Sequence, residues 1–335
     1  MINVVLKKFG DKYMDEFSFI DSIKQHSYKQ SSLLKGIGDD AAVFRQPAQD
    51  IVTAVDTFVE DVHFSRKTME PYHVGYRGLA ANISDLAAMG ASPAFYLVSI
   101  VIPKTWSMKD VDQIFHGMRE IAAVYQMDLI GGDTVFGKEL AVSITVIGYT
   151  ERNKARYRSS ARNGDIVFVT GTLGDSQAGM HILLNENKYE NKDYYIKKHQ
   201  KPLPRVDFAK ALADLPRVAL NDVSDGIANE ASEIAVASGV SIHLYDEQLP
   251  ISQSYQQFPL DLQRKWKLFG GEDFELLGTV AKESWLDVKE AAEKSQTPIT
   301  KIGYVHYSVD EVGYVFLHDN KDRQLLQKDG YIHKK

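Results

Sequence analysis

Nine acidic residues stand in apolar or glycine-rich surroundings, in six islands. Asp39 and Asp40 lie in GIGDDAAVF, with no Lys or Arg between Lys35 and Arg45 to answer them. Asp56 ends IVTAVD, Asp85 lies in NISDLAAMG, Asp133 ends DLIGGD, Asp222 and Asp225 lie in NDVSDG, and Glu272 and Asp273 lie in FGGEDFELL. A carboxylate in such a setting is costly to bury unpaired. Taken singly, each reads most simply as an N-cap or an Asx turn. Six islands together, most with glycine alongside, are poorly explained by six independent caps, so cationic partners are expected.

Hard oxygen ligands point to Mg²⁺ or Mn²⁺, held by a few carboxylates together with water and substrate phosphates. Calcium is the competing ion, but no DxDxDG loop with its closing Glu is present. Metals among carboxylates suggest a phosphate-bearing ligand. At an effective dielectric near 20, two unit charges about 4 Å apart interact by roughly 4 kcal/mol, so divalent ions are a reasonable bridge between two sets of anions. The stretch GDTVFGKE (132–139) has the spacing of a phosphate-binding P-loop, but Glu139 stands where that loop needs Ser or Thr, and Asp133 would face phosphate. A P-loop is rejected, and no GxGxxG follows a strand. Lys154, Arg156, Arg158 and Arg162 either grip phosphates or form a solvated linker, the latter being the simpler reading.

These residues must be carried by a chain of 335 residues, 44% hydrophobic, long enough for two domains with a core in each. A formal charge of −6 with no strong basic cluster argues against nucleic acid. The absence of cysteine removes disulfides, thiolate nucleophiles and Cys-ligated metals. No signal-peptide core or membrane span is visible, and a cytoplasmic location is expected. Residues 1–13 are either a weakly ordered extension or a first strand.

IVTAVDTFV, FYLVSIVIP and LAVSITVIGYT read as strands, while VGYRGLAANISDLAAMG and KDVDQIFHGMREIAAVY carry apolar residues at helical spacing. Small residues in the first of these helices, Gly75 and Gly78 among them, predict close packing. A polar segment places a boundary near residue 155, giving domains 1–155 and 156–335. Beyond it, helices are expected over GDSQAGMHILL and over VSDGIANEASEIAVASG, ending at Gly239, with strands over IHLYD, FELLGTV, ITKIGYV and GYVFLHD. The fold class expected is α/β (α+β type), with mixed sheets packed by helices, because strands and helices do not alternate one for one. Trp266, Phe269 and Phe274 are expected to pack in the core.

Taken together, GIGDDAAV, VDTFVEDVHF, NISDLAAMGASPAF, LIGGDT, VTGTLGDSQAG, DVSDGI and GGEDFELL run in order from residue 36 to residue 277. In that order they resemble the thiamine-monophosphate kinase family, of the superfamily that includes aminoimidazole-ribonucleotide synthetase, selenophosphate synthetase and a hydrogenase maturation factor. A chain without cysteine cannot run the Cys-dependent chemistry of the last two. The resemblance implies two α/β domains per chain, N-terminal domains paired in a homodimer, and ATP-dependent conversion of thiamine monophosphate to thiamine diphosphate. It also implies that Asp40, Asp56, Asp85, Asp133, Asp222 and Asp225 bind Mg²⁺, that Gly132, Arg158 and Ser224 contact ATP, and that His63 and Glu272 contact thiamine phosphate. Tyr331 is implied as a lid over the thiamine. One departure stands out: Ala54 and Val55 occupy positions where the family often has hydroxylic residues, so a backbone carbonyl or water must replace one metal ligand.

No catalytic base or nucleophile is expected, because a phosphate acceptor is already an oxyanion. Two rivals remain: an ATP-dependent synthetase of the same superfamily, and a metal- or nucleotide-binding homologue without turnover.

Overall fold

A computed structural model of the chain describes residues 25, 27–35, 43, 44, 48–185, 187–319 and 322–326. Asp39, Asp40, Tyr331 and residues 1–13 lie outside the described residues.

Strands β1 (Leu33–Lys35) and β2 (Val43–Phe44) pair antiparallel ahead of a four-stranded sheet. That sheet comprises β3 (Gln49–Val59), β4 (Ser92–Pro103), β5 (Asp128–Gly137) and β6 (Ala141–Glu151) in the order β3-β6-β4-β5. It is mixed, since β4 and β5 are parallel and the other pairs antiparallel. Alternation along the strands gives it one covered face: Phe58, Val98, Ile100, Val142, Ile144 and Val146 are buried under helices. The covering helices are α1 (Pro71–Ala88), which starts with Pro in its first turn, and α2 (Met108–Val124), which starts with a Ser107–Asp110 capping box.

The close approach expected of the small-residue helix is found where α1 crosses α2. A Cβ on Gly75 would lie 1.8 Å from the Ile114 carbonyl oxygen, and one on Gly117 would lie 2.0 Å from that of Tyr72. Backbone thus meets backbone at both glycines. Gly78 faces the sheet instead, against Ile144 and Phe58.

The second half builds a seven-stranded sheet from β7 (Ile166–Thr170), β8 (Val218–Asp222), β9 (Ser241–Tyr245), β10 (Leu276–Val280), β11 (Ile299–His306), β12 (Val315–Asp319) and β13 (Asp322–Leu325). The order is β13-β12-β9-β11-β7-β10-β8, and β9 with β12 is its parallel pair. Its helices are α3 (Asp175–Leu184), α4 (Lys192–Gln200), α5 (Val206–Ala211), α6 (Ile227–Ser238), α7 (Leu260–Phe269) and α8 (Trp285–Lys294). Helix α6 ends where expected, with Gly239 at φ +65°. Mixed sheets packed by helices make this an α/β protein of the α+β type.

The two halves share apolar material. One core cluster runs from Phe58 and Leu79 to Phe168, Phe208, Phe274 and Leu276. Just past that boundary the buried Arg156 donates to the carbonyls of Leu212 (2.5 Å), Ala213 (3.1 Å) and Leu215 (3.0 Å), which follow α5, and two polar ties cross it. Gln200 donates to the Thr68 carbonyl, and the Tyr125 hydroxyl to that of Pro204. Arg156 is therefore neither a phosphate ligand nor a solvated linker residue; Lys154 and Arg162 are exposed.

Strand β3 ends at Val59, as IVTAVDTFV predicts, while β5 runs past the acid that ends DLIGGD. Asp56 and Asp133 do not end strands, because β3 stays paired with β6 as far as Val59–Ala141 and β5 stays paired with β4 as far as Pro103–Gly137. The extended β5 also covers most of GDTVFGKE, which bears out the rejection of a P-loop. Among the described residues no helix is long and apolar enough to cross a membrane.

The crossing of α1 and α2 sets a test of this packing. Gly75→Ala and Gly117→Ala are each expected to cost about 1–3 kcal/mol in urea unfolding, because the atoms that a Cβ meets are backbone and cannot rotate away.

Candidate active site

Asp56 lies on the same face of β3 as Phe58, exposed at the rim of the helical cover, and its N–H donates to the Asn82 side chain of α1 (3.0 Å). Asp85, one turn further along α1, and Asp222, at the end of β8, face the same region. Asp85 feels both of the others. Burial raises it first, Asp222 and Asp56 raise it further, and Arg158 eases it. Asp222, 3% exposed, is raised by burial, eased by the Ser84 hydroxyl and Arg158, and raised again by Asp56. Asp56 is raised by partial loss of water and lowered by His63. Glu230 of α6 is raised, by burial first and then by Asp222, while the Asp225 N–H pulls it back. The fold therefore concentrates carboxylates, and Arg158 partly offsets Asp85, Asp222 and Glu230.

Two loops close one side of this region. The segments 222–226 and 271–275 are zipped by main-chain bonds: Glu272 N to Ser224 O (2.7 Å), Phe274 N to Val223 O (3.0 Å) and Val223 N to Glu275 O (2.7 Å). A Cβ on Gly271 would sit 2.4 Å from the Ser224 carbonyl oxygen, so glycine is needed for this contact. Glu272 and Phe274 adopt φ of +70° and +51°, a strained conformation for residues with a Cβ. The result places Glu272 beside Ser224 and Asp225.

Glu272 is held from the first half of the chain. Arg77 of α1, fully buried, makes an ion pair with its carboxylate and donates from Nη1 to the His199 carbonyl (2.7 Å). Burial and the Arg77 charge hold the His199 imidazole well below its ordinary range, so it is neutral. His63, after β3, stacks on Phe58, and its Nδ1 accepts from the Val59 N–H (3.1 Å). That bond fixes the tautomer, leaving Nε2 as the protonated nitrogen of the neutral ring.

The predicted residues are thus only partly assembled. Asp56, Asp85 and Asp222 act on one another, with Arg158, Ser224, Asp225 and Glu272 around them. Asp133 is on the other side of its sheet: it pairs with Ser99 on the open face, exposed, and accepts from Thr134 N (2.9 Å). Gly132, exposed, packs so tightly on β4 that a Cβ would lie 2.0 Å from the Val98 carbonyl oxygen. The remaining acid of the GGED island is a helix cap, as the simplest reading of a lone Asp would have it. Asp273 accepts from Gly174 N (2.6 Å) and Ser176 N (3.0 Å) at the start of α3. Trp266 and Phe274 are buried in apolar clusters, as expected.

Sequence reasoning misses Arg77, Asn221, Glu230 and Glu275. A lone Arg in the small-residue run VGYRGLAAN is the available signal for Arg77. Glu275 forms a buried group with Arg205 (2.6 and 2.7 Å) and Lys198 (3.2 Å), and nothing local in FELL announces it.

Among the described residues no three His, Asp or Glu side chains come close enough to hold a metal by themselves. The donor chemistry nevertheless fits a hard divalent cation. The groups are oxygen donors whose proximity makes a second negative charge costly, and Mg²⁺ takes few protein ligands beside water and phosphate. No hydroxyl on β3 compensates for Ala54: Thr53 bonds to the Val146 carbonyl and Thr57 to Ser143.

Comparison with known proteins gives this geometry a context. Residues 38–150 match the family model for the N-terminal domain of AIR synthase related protein, and residues 162–315 match that for its C-terminal domain. The chain is 46% identical to the thiamine-monophosphate kinase of Bacillus subtilis (strain 168) over 327 residues, 96% of this chain and 99% of that protein. Its fold is similar to the crystal structure of thiamine-monophosphate kinase from Stenotrophomonas maltophilia K279a, with TM-score 0.81, 31% identity, and 92% and 98% of the two chains covered. It is also similar to AaThiL complexed with AMPPCP and TMP, with TM-score 0.74, 31% identity, and 95% and 97% covered.

The crowded carboxylates make the stability of the metal-free protein depend on pH. A folded-state carboxyl raised above its unfolded value contributes stability that is complete below the ordinary range and lost as pH rises through the folded value. In EDTA, the thermal midpoint is expected to fall as pH climbs from about 4 through about 8, the value to which burial and the neighbouring acids raise Asp85. Asp85→Asn should flatten that slope and raise the midpoint at the alkaline end, read by calorimetry.

Proposed function

We propose that this chain, which belongs to the AIR synthase related protein family and to its thiamine-monophosphate kinases, transfers the γ-phosphoryl group of ATP to thiamine monophosphate, giving thiamine diphosphate and ADP. The observation that carries this reading is the meeting of crowded carboxylates with Glu272 and Ser224 on zipped loops, in a chain 46% identical to a kinase of that name.

The division of labour we infer follows the halves 1–155 and 156–335, with the site between them. Asp56, Asp85, Asp222 and Asp225 would hold Mg²⁺, with Asp40 and Asp133 completing the set; Asp133 would enter from the open face of its sheet. Bound there, Mg²⁺ supplies charge neutralisation for the phosphates. Arg158, Ser224 and Gly132 would contact ATP, and His63 and Glu272 the thiamine phosphate, with Tyr331 as the lid. The chain's own residues have one task, which is to set acceptor oxygen and γ-phosphorus in line. An acceptor phosphate oxygen attacks phosphorus, the bond from phosphorus to the bridging oxygen of ADP breaks, and no proton need move. This suits a site in which Arg77 holds the Glu272 carboxylate in an ion pair and the His199 imidazole is neutral.

We also infer a homodimer through the four-stranded sheet. Its uncovered face presents Val55 (61% exposed), Ile51 (54%) and Val135 (45%), an apolar surface that a second copy would cover. Val55→Asp is expected to shift the protein from dimer to monomer in analytical ultracentrifugation.

The deciding assay supplies ATP, Mg²⁺ and either thiamine monophosphate or thiamine. Thiamine diphosphate is expected from the monophosphate alone. Asp222→Asn should lower turnover by about 100-fold or more, as expected for loss of a group that stabilises transferring phosphate charge, while leaving the thermal midpoint unchanged or higher. ADP release only with a formylglycinamidine ribonucleotide would instead favour the synthetase.

A further inference from the structure

Glu230 sits in the first turn of α6, 4% exposed, behind the loop that carries Asp222, Ser224 and Asp225. Its two carboxylate oxygens have different partners. Oε1 accepts from Asp225 N (3.0 Å) and from the Ser224 hydroxyl (3.3 Å), whereas Oε2 accepts from the Asn221 side-chain amide. Asn221, itself 1% exposed, uses its other end to accept from Nε of Arg158 at 2.8 Å. A buried chain of hydrogen bonds therefore runs from Ser224 and Asp225 through Glu230 and Asn221 to the Arg158 guanidinium.

We propose that Glu230 and Asn221 form a positioning pair for the nucleotide, aiming Arg158 and Ser224 together. This rests on the kinase reading only in taking those two residues as nucleotide contacts. Arg158 has a half-exposed side chain and carries substantial rotamer freedom, so an unpinned guanidinium would lose entropy on meeting phosphate. The bond at Nε fixes the plane of the fork while leaving the Nη groups to reach outward; the Glu233 carboxylate stands 3.9 Å from Nη1, at the limit of an ion pair. All three groups facing Glu230 are donors, which only a carboxylate can satisfy at both oxygens. A helix-capping role accounts for the Oε1 bonds. It does not account for the Oε2 bond to Asn221, which leads to Arg158 and away from α6.

The two arms can be separated by substitution. Glu230→Gln is isosteric but sets an amide donor against a donor in one arm. Asn221→Ala breaks the Arg158 arm and leaves the Oε1 bonds intact. The exchange Asn221→Asp with Glu230→Gln restores a donor-acceptor match along the chain at unchanged net charge, because the introduced amide donates and the introduced carboxylate accepts from both sides. Affinity for a fluorescent ATP analogue with Mg²⁺, KM for ATP, KM for thiamine monophosphate and the thermal midpoint are measured for each.

The single substitutions are expected to weaken nucleotide affinity about tenfold, about 1.4 kcal/mol, with KM for thiamine monophosphate within about twofold, as expected for a lost charge-assisted bond on the nucleotide side. The exchange should recover most of the affinity. The proposal is overturned if Asn221→Ala leaves nucleotide affinity at its original value, or if the exchange regains the thermal midpoint without the affinity. Should Glu230→Gln fail to fold, Asn221→Ala and the exchange still decide it. A wild-type protein that binds the analogue but does not phosphorylate thiamine monophosphate would refute the kinase reading and leave the affinity comparison intact.

Discussion

Repulsion among carboxylates that the fold holds together is the constraint on which the rest of this molecule depends. Asp56 arrives on β3, Asp85 on α1 and Asp222 at the end of β8, so no single element is responsible for the crowding. Asp56 and Asp222 favour the protonated form of Asp85, Asp56 does the same to Asp222, and Arg158 offsets them incompletely. Such an arrangement persists only because the surrounding packing is hard to deform. The glycine-to-backbone contacts of α1 with α2, and the apolar cluster common to both halves, supply that resistance.

A second device brings the two sides of the reaction into register. Main-chain bonds zip the loop with Ser224 and Asp225 to the loop with Glu272, and the backbone accepts left-handed conformations at Glu272 and Phe274 to do so. Arg77 then fixes the Glu272 side chain from the opposite half of the chain. A fully buried guanidinium is tolerable because a carboxylate, a carbonyl and a neutral imidazole surround it. For transfer between two phosphates, which needs position and charge balance more than proton movement, such rigid placement is the contribution a protein can make.

Expectation and structure part at three pairs of neighbouring or look-alike residues. Asp56 and Asp133 look alike in sequence, each an acid after an apolar run, yet one faces α1 and the other the open side of the sheet. Strand alternation makes the difference: Ser99, opposite Asp133, belongs to the face that α1 and α2 do not cover. Arg156 and Arg158 stand two apart in one basic run. The first ties down the carbonyls after α5, and the second faces the acids. Adjacency groups Asp273 with Glu272, but Asp273 caps α3 because Gly174 and Ser176 present their N–H groups to it.

The sequence by itself determined the local and the chemical: strands and helices from apolar periodicity, the end of α6 from Gly239, the absence of thiol chemistry, and a demand for cations from acids in apolar settings. The ordered motifs added the family, because seven of them in sequence constrain identity far more than any one alone. Which acids meet was left to the tertiary structure, since that depends on strand register and on which face a helix covers. The buried partners Arg77, Asn221 and Glu230 were likewise invisible, because a polar residue in an apolar run shows that it needs a partner without showing which residue, more than 100 positions away in the case of Arg77 and Glu272, will provide it.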